Sequence, residues 1–291
     1  MNNMAHHGAH WQLSRVPGMD DAEFAQWADL LEARTGISLP AARKSFLVTS
    51  LTLRMREIGC PDYGRYYALV TAGPGGAVEW SVLVDRLTVH ETRFFRHPAS
   101  LALLARHLKA RCAQLGPLSI NAWSAGCATG EEAYSIAMVI EQQFSTHRGE
   151  HYFGVTGADI SLAALDAARR GVYHRRRLLA LEPGQMERCC TQVDAEHYQV
   201  CERLRERVCF TRMNMLEPLA PTFGGMDVIF CQNVLIYFSR RRRTEILNKI
   251  AQCLSPGGLL VLGPGEIVQW SYPGLERVVY EDTLAYYRTP I

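Results

Sequence analysis

Apolar positions along this chain follow two different rhythms, one after the other. From Asp20 to about Asp85 they recur at helical spacing. Phe24, Trp27, Leu30 and Leu31 fall on one face of a first helix, which Asp20 or Asp21 caps and Thr35-Gly36 ends. Ala41–Ile58 continues helical, with Phe46, Leu47, Leu51, Leu53 and Met55 among basic residues, until Gly59-Cys60-Pro61 breaks it. Tyr63–Val70 is a third helix, ended by Ala72-Gly73-Pro74-Gly75-Gly76, and a fourth runs Ala77–Leu87. From Arg86 onward, short apolar runs alternate with longer amphipathic ones. Strands are predicted near 118–123, 152–158, 207–213, 226–231 and 258–263, and helices near 98–114, 131–145, 161–170 and 240–254. That alternation predicts an α/β fold with a parallel sheet covered on both faces. Two further short strands, Arg277–Tyr280 and Thr283–Tyr287, come last. The chain therefore divides into a disordered tail (1–18), a small all-helical domain (19–86) and an α/β domain (87–291).

Composition adds little to this picture. With 291 residues, 48% hydrophobic and 21% charged, the chain is long enough for a large core and has the make-up of a globular protein. No apolar run approaches the ~20 residues of a membrane span. The start, MNNMAHHGAH, has no charged segment followed by an apolar one, so no secretory signal is read there. Nine cysteines form no CxxC pair, which suits reduced thiols in the cytoplasm. His6, His7 and His10 read as part of the tail rather than as metal ligands. The net charge of +2 says little about partners. Locally, Arg34, Arg43, Lys44, Arg54, Arg56 and Arg65 face only Glu57 and Asp62 within their stretch. Such a strip is either a solvated helix face or a surface that steers an acidic partner. The run Arg240–Arg243 at a helix start opposes the helix dipole and leaves the same two readings open.

The chemistry concentrates in Ser119–Tyr134, SINAWSAGCATGEEAY. A strand runs into the turn Ala125-Gly126-Cys127-Ala128-Thr129-Gly130, and Glu131 and Glu132 open the next helix. A small-residue turn of this kind brings backbone N–H groups close to a ligand. A phosphate cradle would favour lysine or bare N–H groups. Carboxylates at the helix start instead suit hydroxyls, an ammonium or a sulfonium, and so a positively charged nucleoside such as S-adenosylmethionine. The terminal strand pair also fits methyltransferases of that type better than dehydrogenases. Polar residues recur at the other strand ends. Asp159 follows the second strand and can accept from both ribose hydroxyls, although Ser161 beside it is a competing helix cap. Asn214 offers a donor and an acceptor to a base edge, next to Met215. Gln232-Asn233 sits between apolar residues after the fourth strand.

Several stretches together resemble the CheR-type chemotaxis receptor methyltransferases. They are Leu87–Arg96 (LTVHETRFFR), Trp123–Ser135, Ala158-Asp159-Ile160, Met213–Glu217 and Ile229–Phe238 (IFCQNVLIYF), with Leu254–Gly258 and Gly263–Glu266. The type IV pilus, PilK-like branch is the nearest in character. The resemblance implies a Rossmann-like class I S-adenosylmethionine-dependent methyltransferase domain behind a helical domain, with a small β insertion within Tyr173–Arg207. It implies methylation of glutamate side chains on the helical cytoplasmic domain of a methyl-accepting chemoreceptor, which the helical domain would contact. His90, Thr92 and Arg96 would line the cofactor pocket from the interdomain segment. Glu132 would hold the methionyl or ribose part and Asp159 the ribose. Asn214 and Met215 would flank adenine, Gln232 and Asn233 would close the site, and Tyr237 would lie near the transferring methyl. The family often has Asn at His90 and Arg at Gln232, so the role of residue 232 is open. In part of the family a glycine-rich loop of the insertion docks a receptor's tail peptide. The matching CTQVDAEHYQVCERLRER has no glycine, which argues against such docking.

Methyl transfer from a sulfonium to a glutamate is a direct displacement. The nucleophile is already ionised at neutral pH, so the site needs alignment and exclusion of water rather than a general base. Phe94, Phe95 and Tyr237 are expected as apolar neighbours, and Arg96 as the group that orients a carboxylate. Arg96 and Tyr237 are thus the candidate catalytic residues, and no metal is expected. Rival readings are a methyltransferase on RNA or a small molecule, and a silent cofactor-binding adaptor. Without interleaved aromatic and basic residues, nucleic acid is not the expected partner. A nicotinamide dehydrogenase fits worst, because the turn lacks GxGxxG and the acid pair would repel pyrophosphate.

Overall fold

A computed structural model describes residues 18–113, 116–267 and 269–290. The tail expected over 1–18, with His6, His7 and His10, lies outside these residues except for Gly18. Helix α1 (Asp21–Thr35) opens with a reciprocal cap, in which Asp20 accepts from the Glu23 N–H and Glu23 from the Asp20 N–H. A 3-10 turn, Ala41–Arg43, leads into α2 (Lys44–Ile58). Helix α3 (Tyr63–Thr71) is followed directly by α4 (Gly73–Leu87). The sequence placed a glycine-rich break at 72–76, but these residues form the first turn of α4. Pro74 belongs there because a helix start leaves its N–H groups unpaired anyway. Gly76 lets α3 approach, since a Cβ there would lie 2.5 Å from the Leu69 carbonyl.

Trp27, Leu31, Leu47, Leu51, Tyr63 and Tyr66 fill this domain's core. Leu53, read as part of the apolar face, is 49% exposed. Half of the basic strip is taken up by ion pairs. Arg54 grips Glu79 through two bonds (2.8 and 2.7 Å), Lys44 meets Asp21, and Arg65 meets Asp62.

After α5 (Pro98–Cys112) the chain alternates: β1 (Leu118–Ala125), α6 (Glu131–Phe144), β2 (His151–Asp159) and α7 (Leu162–Arg170). An insertion follows, with β3 (Val172–His174), α8 (Pro183–Cys189), β4 (Cys190–Gln192) and β5 (His197–Val200). Its three strands form an antiparallel sheet with β5 in the middle. Then come α9 (Glu202–Arg205), β6 (Val208–Arg212), β7 (Met226–Cys231), α10 (Arg240–Cys253), β8 (Leu254–Leu262), β9 (Leu275–Val278) and β10 (Leu284–Arg288).

The main sheet has the order β6-β2-β1-β7-β8-β10-β9. Its first five strands are parallel, and the last two add an antiparallel edge. Strand residues alternate between two cores. Ile120, Val228 and Val261 face one with α5 and α6, while Trp123, Ile229 and Leu260 face the other with α10. The chain travels outward from β1 through β2 to β6 and returns to the other side of β1 at β7. A crevice opens beyond the strand ends where the direction reverses. Among the described residues, no helix is long and apolar enough to cross a membrane.

Candidate active site

The cleft beyond β1 and β7 gathers all ten residues picked from sequence: His90, Thr92, Arg96, Glu132 and Asp159, and then Asn214, Met215, Gln232, Asn233 and Tyr237. Thr35, Ile37 and Arg43 close it from the helical domain. That closure is built on backbone bonds. Ser38 N–H donates to the Tyr237 carbonyl (2.8 Å), and Ile37 bridges to Phe238.

The turn after β1 is tight because the loop after β7 lies against it. Gly126 has φ +78°, and a Cβ there would sit 2.2 Å from Val234 Cγ2. The turn's N–H groups do not face the cleft freely, as the sequence suggested. Those of Gly126 and Cys127 donate to the Ala158 carbonyl, and that of Ala128 donates to Asp159 Oδ2 (2.9 Å). Three cleft residues other than glycine, Phe95, Ala128 and Asn233, hold left-handed backbone.

The two acids at the head of α6 part ways. Glu131 is fully buried outside the cleft, accepting from Thr129 Oγ1 (2.6 Å) and Arg177 Nη1 (2.9 Å). Glu132 faces the cleft and accepts from Ser124 Oγ (2.7 Å). Burial pushes the Glu132 carboxyl up to about 7, with nearby Glu266 adding to the rise and Arg96 opposing it. Asp159 accepts from Ser161 N–H as well as from Ala128, while the Ser161 hydroxyl caps α7.

Other side chains are committed differently from their sequence expectation. Phe94 is not a cleft residue; it packs edge-on against Tyr173 in the core, and Phe95 takes the cleft position. The Gln232 amide donates to Ser100 Oγ (2.9 Å) and the Leu262 carbonyl (3.2 Å), so it ties β7 to α5 and β8. Asn214 donates to the Arg34 carbonyl (2.8 Å), joining the two domains. Asn233 Oδ1 lies 2.9 Å from His97 Nε2, and His90 Nε2 lies 2.9 Å from Thr88 Oγ1. Thr92 accepts at its carbonyl from Arg177 (2.6 Å), and Arg96 Nη1 donates to the Glu91 carbonyl (2.6 Å).

Two supports escaped the sequence reading. Glu266, 1% exposed, accepts from the N–H groups of Gly263 (2.8 Å) and Leu235 (2.9 Å). Arg243, from the four-arginine run, donates to the carbonyls of Ile236, Phe238 and Glu266. Together they fix the loop that carries Asn233 and Tyr237. The GPGE motif was visible, but nothing in it announces that Glu266 folds inward onto main chain. Arg241 and Arg242 instead pair with Glu245 on the surface.

Sequence comparison now adds to the geometry. The CheR methyltransferase SAM-binding domain model matches residues 90–283, and the CheR methyltransferase all-alpha domain model matches residues 22–88. The chain belongs to the CheR methyltransferase family. A chemotaxis protein methyltransferase of Klebsiella aerogenes is 34% identical over 258 residues, covering 88% of this chain and 86% of that one. Its Escherichia coli counterpart is 33% identical over 269 residues, 91% and 90% of the two chains. The probable biofilm formation methyltransferase WspC of Pseudomonas aeruginosa is 31% identical, over 89% of this chain and 60% of its own length. Among solved structures, magnesium protoporphyrin IX methyltransferase from Synechocystis, with bound SAM, aligns at 16% identity and TM-score 0.37, covering 77% of this chain and 90% of that one.

This CheR-family chain is an S-adenosylmethionine-dependent methyltransferase, and its cleft suits that cofactor. The turn's N–H groups are spent on protein acceptors, which removes a phosphate cradle. Glu132 is a carboxylate whose one side-chain partner is a hydroxyl, and Arg96, the cation that acts on it, only partly offsets the rise caused by burial. The cofactor's positive charge is of the kind that would complete it.

Proposed function

We propose that the protein methylates glutamate side chains on the helical signalling domain of a methyl-accepting chemoreceptor, producing glutamyl methyl esters in the cytoplasm. Residues 87–291 are taken as the methyltransferase domain and 19–86 as the domain that meets the receptor's coiled coil. One observation carries this reading. Arg43, Arg96 and Tyr237 line the same cleft as the acids Glu132 and Asp159. Two guanidiniums and a phenol thus share that cleft with two carboxylates. A cationic donor and an anionic acceptor each find opposite charge there.

When bound, the cofactor supplies an electrophilic methyl group on a sulfonium. Glu132 and Asp159 would hold its amino-acid and ribose parts, and Asn214 and Met215 would flank the base. Arg96 would orient the acceptor carboxylate. Tyr237 and Phe95 would exclude water from it. No residue has to take a proton, because a glutamate nucleophile is ionised at neutral pH. The rings of His90 and His97 are engaged with Thr88 and Asn233, in keeping with that economy.

The test is incubation with methyl-labelled cofactor and a receptor signalling fragment. Label released as methanol by mild base is the expected result; base-stable label would place the methyl on nitrogen and end this proposal. The motif resemblance further points to a receptor of a type IV pilus chemosensory system. Methylation of a pilus-system receptor in preference to a flagellar one tests that assignment.

A further inference from the structure

The chain carries an arginine at the root of its β insertion that reaches into the wall of the cleft. Arg177 sits in the 3-10 turn Arg175–Leu178, directly after β3. Its Nη1 donates both to the Thr92 carbonyl (2.6 Å) and to Glu131 Oε1 (2.9 Å). Its own carbonyl accepts from the Phe94 N–H (3.2 Å). Thr92 and Phe94 belong to the interdomain segment that brings Thr92, Phe95 and Arg96 to the cleft. A second tie comes from α6, where the Ser135 hydroxyl accepts from the Phe95 N–H (3.1 Å) and donates to the Glu131 carbonyl (2.6 Å).

We propose that Arg177 is a positioning residue for cofactor binding: it clamps the Thr92–Arg96 segment against the head of α6 and so couples the β insertion to the cleft. The inference rests on the reading that Thr92 and Arg96 line the cofactor site. Three observations support it. The contact spans 85 residues of sequence, so no local turn enforces it. Phe95 holds left-handed backbone at φ +50°, a conformation that persists only where its surroundings impose it. Glu131, with no exposed surface, is met by the same Arg177 nitrogen that holds the Thr92 carbonyl. Glu131 also accepts from Thr129 Oγ1, within the turn after β1. One buried carboxylate thus links that turn and, through Arg177, the opposite wall.

A purely structural arginine would serve only to balance the buried Glu131 charge. The two roles separate in a double-variant experiment read by calorimetric binding of S-adenosylhomocysteine and by thermal unfolding. Arg177→Ala should weaken binding at least ten-fold and lower the unfolding temperature. Glu131→Gln alone keeps the bond to Thr92 and should bind within about three-fold of the parent protein. The double variant Arg177→Ala/Glu131→Gln removes the stranded charge. It should regain the unfolding temperature while binding stays at least ten-fold weak. Recovery of both in the double variant would reduce Arg177 to charge balance and overturn the proposal, as would unaltered binding by Arg177→Ala. If Arg177→Ala does not fold, the double variant alone decides by the same criterion. Failure of the parent protein to bind S-adenosylhomocysteine would strike the cofactor reading itself, and this inference with it.

Discussion

Glu132 should make the cofactor-free protein less stable as pH rises, and replacing it should reverse that. Its carboxyl sits at about 7 in the folded chain against an ordinary 4.5, chiefly through burial. A carboxyl with a raised folded pKa holds its proton longer when folded than when unfolded. Stability is therefore intact below about pH 4.5 and declines as pH climbs towards 7, where the folded group ionises. At about 1.4 kcal/mol for each pH unit, the whole decline is about 3 kcal/mol, and only about 1 kcal/mol of it has accrued at pH 5. Glu132→Gln keeps an acceptor for the Ser124 hydroxyl and cannot ionise. The variant should match the parent to within about 1 kcal/mol at pH 5 and exceed it by about 3 kcal/mol at pH 8. In thermal unfolding that is a gain of about 6 °C for a domain of this size. The same substitution removes the group proposed to meet the cofactor's positive charge. Parent affinity for S-adenosylmethionine should fall by up to about ten-fold per pH unit below 7, and the variant should lack that dependence on Glu132. Equal stability gaps at both pH values, or a variant less stable at pH 8, would refute the assignment of an uncompensated carboxylate.

Four other substitutions probe the remaining parts. Arg96→Ala should lower methyl transfer by at least about 100-fold while denaturant unfolding stays at the parent midpoint; an active, normally folded variant contradicts its role. Gly126→Ala forces a Cβ towards Val234 and should cost about 1–3 kcal/mol along with cofactor affinity. Calorimetry on Gly126→Ala/Val234→Ala should show part of that affinity restored. Glu266→Ala strands the buried N–H groups of Gly263 and Leu235 and should destabilise the chain by about 3 kcal/mol in urea unfolding. An unchanged midpoint would mean the loop after β7 is held elsewhere. Arg54→Ala leaves Glu79 with only the Tyr66 hydroxyl as donor and should cost about 3 kcal/mol, seen in the first unfolding transition if the helical domain melts separately.

The sheet and most helices were legible because their patterns are strong: β7 is apolar save for Asp227, and α6 carries a clear inner face. The start of α4 was not, because Gly-Pro-Gly-Gly is also turn chemistry. Only the close approach of α3, a long-range fact, makes a glycine useful inside that helix. Cleft positions were legible from strand ends, where topology alone directs side chains to one place. Which atoms stay available was not. Gln232 and Asn214 spend amide donors on Ser100, Leu262 and Arg34, partners 132, 30 and 180 residues away. Phe94 and Phe95 are adjacent and chemically identical, so no local signal says which enters the core.

Three buried glutamates around the cleft, Glu131, Glu132 and Glu266, show what decides such assignments. All three have carboxyls raised by burial, so burial does not distinguish them. Their partners do. Glu131 is met by a guanidinium and a hydroxyl, which compensates its charge inside the protein. Glu266 is met by main-chain N–H groups that it organises into a rigid loop. Glu132 is met by one hydroxyl. An ionised group left with so little is costly to fold around unless something else arrives to satisfy it. The member with neither an ion pair nor a main-chain donor among the described residues is also the one whose surface forms part of the cleft wall. Local electrostatics therefore favours Glu132 as the position that would receive a cation. Binding there would be strengthened because, among the described residues, no ion pair to Glu132 is made in its absence.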